Sequence, residues 1–330
     1  MVTGYGVKLT LFLALALVWM AMAARAADEG SGGFVAARYP GDAGITGDPA
    51  VVFVDDFESW AADGTMAPAE KKWAVRKNEV SVTRVIPGKV SAGGMDGPGK
   101  GILEIACWTL GTGSQTGGLS LKLGNYNSAE EGLGPGYDDL YIRYYIKFDE
   151  KYKAVQNHGA NLGGRDVTRP GSNWVGMANV PDPSTKGYFY SGLQPRGQLG
   201  TQQLRMGFYS YHLDKNDNWG VGYPALKEIP IGVGRWYCLE RHMKLNSINA
   251  ETQKGNFDGM EELWVDGELS IRKEGLRFRH VPEIHISFFS LENYYHGLPE
   301  EFGKDNPIRV YYDNLVIATK PIGPMKLAKE

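Results

Sequence analysis

A chain of 330 residues with 35 Lys and Arg against 38 Asp and Glu has a formal charge of −3 and no basic tract, which excludes nucleic acid as a partner. With 44 Gly, 17 Pro and 12% aromatics, and no sustained 3.6- or 3.5-residue apolar period, the composition excludes a helical bundle and favours short strands joined by turns. Beyond the amino terminus, no segment is apolar over the ~20 residues that a membrane span needs.

The chain opens with a short region ending at Lys8, the apolar run "LTLFLALALVWMAMA" and small residues up to Ala24-Arg25-Ala26. This pattern reads as a signal peptide over residues 1–26, cleaved before Ala27. Its removal takes away Lys8 and Arg25 and no acid, so the formal charge moves from −3 to −5. The mature protein is expected to be secreted or periplasmic and free of the membrane. Residues 27–50, rich in Gly and Asp, are expected to form a flexible leader, and residues 51–330 a single domain.

Strand candidates then follow one another: "VVFVDDFESW" (51–60), Val80–Val85, "GILEIACW" (101–108), "LSLKL" (119–123), "LYIRYYIKF" (140–148), "KGYFYSGL" (186–193), "QLRMGFYSYHLD" (203–214), "WYCLERHMKL" (236–245), "EELWVDGEL" (261–269), "EIHISFFS" (283–290) and "IRVYYDNLVIA" (308–318). "VDGE" reads as a tight Asp-Gly hairpin. No internal repeat or linker divides these runs, so the expected fold class is all-β, one antiparallel sandwich or jelly roll. The segment 153–185 is too long for a structural connection, and loops of that size usually carry function. Its Arg165 and Trp174 are candidates for substrate contact.

Strand periodicity sorts the polar residues. In 140–148, Leu140, Ile142, Tyr144, Ile146 and Phe148 share one side, while Tyr141, Arg143, Tyr145 and Lys147 share the other. In 203–214 the same division sets Leu204, Met206 and Phe208 against Arg205, Tyr209 and Tyr211. Cationic and phenolic residues on one face suit β-elimination of a uronate polysaccharide. A cation or amide must neutralise the carboxylate, a base must remove the proton at C5, and an acid must protonate the leaving oxygen. An ordinary wet sandwich face has the same composition.

Among the histidines, His158 stands in a Gly-rich loop that lets backbone approach a ligand. His212 and His242 are cleft candidates with core alternatives, and His296, beside Tyr294 and Tyr295, could close over a sugar. No pair has metal-motif spacing, so catalytic zinc is not expected, and no organic cofactor is implied. Asp56 and Glu58 could meet Asp313 and form a structural Ca²⁺ site, the alternative being solvated strand ends. Cys107 and Cys238 could form a disulfide in an oxidising compartment or remain two buried thiols. A glycosidase would need two carboxyls across a cleft; Glu240, Glu261 and Glu262 are available but lie in no Glu-x-Asp-x-x-Glu signature.

"GRWYCLERHMKLNS…DGMEELWVDGELSIRKEGLRFR" (234–279) and "VYYDNLVIAT" (310–319) resemble the C-terminal half of jelly-roll polysaccharide lyases related to the alginate and glucuronan lyases, within the concanavalin-like sandwiches. Upstream, "LYIRYYIKFDEKY" resembles their Arg-Tyr-x-x-x-Phe strand. "NHGANLGG" sits where they carry a Gly-rich loop with a basic catalytic residue. The resemblance spans roughly residues 138–319. It implies a secreted lyase acting on an acidic polysaccharide, with His158 in the role of the family's lysine and Tyr209 and Tyr211 matching its Tyr-x-Tyr pair. Arg205 or Arg143 would then bind the uronate, with Tyr145, Lys147 and the candidates named above as further contacts. His158 in place of lysine and the 164–185 insertion depart from the family pattern. The alternatives are a non-catalytic concanavalin-like carbohydrate-binding protein and a glycoside hydrolase using Glu240 and Glu262.

Overall fold

The computed structural model describes residues 33–60, 72–76, 78–111, 113–124, 132–155, 157–166, 187–215 and 218–327. The signal-like run 1–26 and Trp174 lie outside the described residues. In chain order the strands are β1 (Val51–Asp55), β2 (Trp73–Arg76), β3 (Ser81–Ile86), β4 (Lys89–Ser91), β5 (Met95–Gly97), β6 (Ile102–Cys107), β7 (Gln115–Lys122), β8 (Asp139–Phe148) and β9 (Asn157–His158). They continue with β10 (Asn161–Arg165), β11 (Tyr188–Gly197), β12 (Leu204–Tyr211), β13 (Trp236–Lys244), β14 (Gly259–Val265), β15 (Glu268–Leu276), β16 (Phe288–Tyr295) and β17 (Ile308–Ala318).

Two antiparallel sheets form a sandwich. The first runs β15-β14-β13-β8-β17-β6-β3, with β1 also paired to β17. The second runs β12-β11-β10-β16-β7-β2, with β9 also paired to β16. The alternation read from 140–148 places Leu140, Ile142, Tyr144, Ile146 and Phe148 in the core with Phe208, Leu162, Phe189, Phe289 and Leu291 of the facing sheet. Each such aromatic or aliphatic side chain contributes about 1.5–3 kcal/mol of burial. The predicted hairpin is present: Asp266 and Gly267 both take positive φ (51° and 83°) between β14 and β15, as a two-residue primed turn requires.

Three expectations change. Residues 33–50 are not a flexible leader: three short 3-10 turns pack Val35, Ala36, Ile45 and Ala50 against Val316, Ala318 and Ile322 on the outside of the first sheet. Their small side chains suit a segment pressed flat on a sheet. The loop 153–185 contains β9 and β10, and β10 sits centrally in the second sheet. Its glycines hide it from propensity, yet they are required there: a Cβ on Gly164 would lie 1.7 Å from the His285 carbonyl oxygen. The last strand of the second sheet is 288–295 rather than 283–290.

The cysteines are free and buried. Cys107 points into the core from β6 and Cys238 outward from β13, and β17 and β8 lie between these strands, so no disulfide can join them. The acidic residues do not form a cation cage either. Asp313 accepts the N–H groups of Val90 (2.6 Å) and Asn314 (2.7 Å), Glu58 accepts that of Lys100 (2.9 Å), and Asp56 faces Lys89 at 3.6 Å. Among the described residues no group of three or more His, Cys, Asp or Glu is arranged to hold a metal.

Candidate active site

The face of the second sheet that points away from the core gathers the groups of interest. On the edge strand β12, Arg205, Gly207, Tyr209 and Tyr211 share that face, directly opposite Arg196, Gln194, Gly192 and Tyr190 of β11. The bare Gly207 leaves room for Arg196: a Cβ there would lie 2.8 Å from the arginine's Cδ. Arg196 Nη2 donates to the Phe208 carbonyl at 2.6 Å. Burial and the facing Arg205 both lower its pKa, so the site holds two cations against their mutual repulsion. Arg205 itself is exposed and faces Glu228 at 3.5 Å.

The tyrosines meet at their hydroxyls, with Tyr209 and Tyr211 oxygens 3.2 Å apart and rings at 83°. Segment 218–223 runs along β12, bridged from Val221 to Ser210, and Gly220 lies so close to the Tyr209 ring that a Cβ would come within 2.7 Å. Burial, followed by the hydrogen bond to Tyr209, raises the Tyr211 pKa, and burial pushes Tyr188 up to about 12. Both phenols therefore keep their protons at neutral pH and can only give them.

His158 arrives from β9, opposite Tyr294 of β16. Its ring centroid is 4.7 Å from that of Tyr209 and 5.6 Å from that of Tyr294, and its Nε2 lies 2.8 Å from Nε2 of His296. One imidazole donates in that contact and the other accepts, so the two share a single proton. Burial, then His296, then Arg196 push His158 down to about 4, leaving it neutral, and a weak base, at pH 7. The floor beside these groups is a hydrogen-bonded chain. Tyr190 Oη donates to Asn161 Oδ1 (2.5 Å), Asn161 Nδ2 to Glu292 Oε2 (3.1 Å), and Thr116 Oγ1 to Glu292 Oε1 (3.0 Å).

The structure thus brings together His158, His296, Tyr209 and Tyr211 from among the sequence candidates, while Arg205 shares their face four residues before Tyr209 on β12, opposite Arg196. Arg165 is on the same face of β10, opposite Tyr188. Ser210 turns inward, to Ser191 and Glu261.

The remaining candidates lie elsewhere. Arg143, Tyr145, Lys147 and His242 lie on the outer face of the other sheet, because β8 and β13 pair there. Arg143 is fully buried against Asp42 and the Asn314 carbonyl, and the Tyr145 hydroxyl accepts the Met325 N–H at 2.9 Å. His242 stacks on Tyr141 (4.0 Å) and bonds Glu262 and Asp139, both at 2.7 Å. His212 and Tyr295 point to the interior, His212 accepting the Asp214 N–H at 3.2 Å. The glycosidase pair fails on the same ground. Glu240 accepts the Ile322 and Gly323 N–H groups on the outer face of the first sheet, Glu262 is beside it, and Glu261 is inside the sandwich.

Sequence reasoning missed Arg196, Tyr190, Asn161 and Glu292. Pro195 made the strand seem to end at Leu193. In the fold β10 pairs only with 188–192, so the Pro195 position has a free edge on that side and tolerates a missing N–H. Extending the alternation through Pro195 would have set Arg196 on the row of Tyr188 and Tyr190.

No family model matches the chain, and no curated protein matches it. Its structure is similar to those of 153 solved chains. An endo-β-1,4-glucuronan lyase from the fungus Trichoderma reesei shares 14% identity, covering 82% of this chain and 96% of that one, with a TM-score of 0.49. An alginate lyase in complex with an alginate trisaccharide shares 12%, covering 81% and 97%, with a TM-score of 0.48. The carbohydrate recognition domain of Emp46p shares 9%, covering 82% and 100%, with a TM-score of 0.41. None of these likenesses assigns a residue or an activity here.

Proposed function

We propose that the protein is an exported polysaccharide lyase that cleaves a uronate-containing polymer by β-elimination, with the outer face of the second sheet as its active site. The observation that carries this reading is the convergence of a neutral imidazole, His158, with the phenols of Tyr209 and Tyr211, on a face that also carries the arginine pair Arg196 and Arg205. Arg196 and Arg205 bind the substrate carboxylate and draw charge from C5, which makes its proton acidic. His158 takes that proton, the released electron pair forms the C4–C5 double bond, and the C4–O4 bond breaks. Tyr211 gives its phenolic proton to the departing O4, and Tyr209 packs against the sugar. The bound carboxylate, seated beside His158, raises the basicity of the imidazole just as substrate arrives.

Incubation with alginate, glucuronan and other uronates, followed through the absorbance of the unsaturated product, tests the reading. A signal lowered about 10²–10⁴-fold by Tyr211→Phe and by His158→Ala is the expected result. Binding with no product, in wild type and variants alike, would replace it with the non-catalytic carbohydrate-binding reading, which the weak basicity of His158 in the free protein favours. New reducing ends without the absorbance would point to hydrolysis.

A further inference from the structure

The cationic and aromatic row of β8 that stands out in the sequence is not part of this groove. Its last member, Lys147, instead lines a cavity of about 520 Å³ on the opposite sheet, with Asp96, Asp149, Glu150, Lys151 and Tyr311. That volume is within the range of small-ligand sites. Glycine keeps it open: Gly97 and Gly234 also line the cavity, and a Cβ on Gly234 would lie 3.2 Å from Glu150 Cγ.

The polar groups are held in place before any ligand arrives. Lys147 Nζ and Trp236 Nε1 both donate to Asp96 Oδ1, at 2.6 and 2.7 Å, which leaves Oδ2 to accept from a ligand. Asp149 accepts the Tyr311 hydroxyl at 3.2 Å on one oxygen and the Lys151 N–H at 3.0 Å on the other, and each oxygen has a second lone pair. The Lys147 ammonium stands 5.7 Å from the ring centroid of Tyr311, an aromatic residue of the lining, and 4.8 Å from that of Trp236, which is outside it. Three carboxylates, Asp96, Asp149 and Glu150, outnumber the two ammonium groups of Lys147 and Lys151. An aromatic ring with several fixed acceptors and few donors matches the hydroxyls and apolar face of a pyranose. The excess of negative charge disfavours a uronate, the reverse of the preference set by Arg196 and Arg205.

We propose that this cavity is a second saccharide site, selective for neutral sugars, on the face of the sandwich opposite the groove. It would hold the protein on a neutral glycan while leaving the groove free. The proposal stands whether or not the groove is catalytic.

Isothermal titration of the full chain with cellotetraose, mannotetraose and an alginate tetramer tests it. One neutral tetramer should bind saturably at a single site. Lys147→Met and Asp149→Asn should each weaken it at least ~10-fold, the loss expected for one hydrogen bond to a charged group, while alginate-tetramer binding is unchanged. Thermal melts identify a variant that fails to fold, and the other then serves alone. Three outcomes overturn the proposal: no saturable binding of either neutral tetramer to the wild type, binding that both folded variants retain, or binding that Tyr209→Phe abolishes instead.

Discussion

Replacing Glu261 by Leu should be among the most destabilising single changes in the protein, although the residue touches neither groove nor solvent. Glu261 and Arg241 are both fully buried between the sheets, 3.1 Å apart. Arg241 also donates to the Ser191 carbonyl (3.1 Å) and hydroxyl (3.0 Å), and Ser210 donates to Glu261 at 2.7 Å. The cluster therefore ties β13 and β14 to β11 and β12 directly behind the tyrosines. Losing the carboxylate leaves Arg241 as an uncompensated buried charge, a loss of about 3–5 kcal/mol. The serine hydroxyls add little, because they lie 2.8 Å apart and can bond each other. At roughly 2–4 °C per kcal/mol for a domain of this size, the melting temperature should fall by on the order of 10 °C. The double variant Arg241→Met/Glu261→Leu removes both charges and should lose less than Glu261→Leu alone. Urea and thermal unfolding by circular dichroism at pH 7, in low and high salt, provide the measurement, and a buried pair should respond little to salt. A loss below about 1 kcal/mol for Glu261→Leu, or a double variant worse than the sum of the singles, would refute the reasoning.

Other outcomes follow from the same structure. Burial pushes His212 down to about 4 from the usual 6.5. A buried neutral imidazole contributes stability that is present above pH 6.5 and lost as pH falls toward 4, here roughly 3 kcal/mol, so His212→Gln should reduce the slope of stability against pH across that window, leaving the share of His158. Starting the chain at residue 48 removes Val35, Ala36 and Ile45 from their packing on Val316, Ala318 and Ile322, so unfolding should become easier by about 3 kcal/mol or more; unchanged stability would show that residues 33–47 merely rest on the sheet. Burial pushes the Cys107 and Cys238 thiols up to about 12, so both should resist alkylation in the folded protein and a reductant should leave the melting temperature unchanged. Rapid labelling at native pH would contradict their burial.

Much of the architecture was legible because it depends on neighbours in sequence. Alternation put Tyr144 and Phe208 inward and Tyr209 and Arg205 outward, and the Asp266-Gly267 turn was readable from two residues. Alternation failed for β10, where glycines required by close backbone approach look like loop, and beyond Pro195, where strand pairing on one side only excuses a proline.

By itself, then, the sequence determined an all-β sandwich and the row of Tyr209 and Tyr211 facing away from its core, since a two-residue period is a local property. It could not determine which sheet each cationic row joined. Arg143 and Arg205 carry the same local pattern, yet β8 pairs with β13 and β17 while β12 pairs with β11. Only the tertiary structure places Asp42, 101 residues away, over Arg143 and sets Arg196 opposite Arg205. Those partners are fixed by long-range strand pairing, and the free energy that selects it is spread over the whole core.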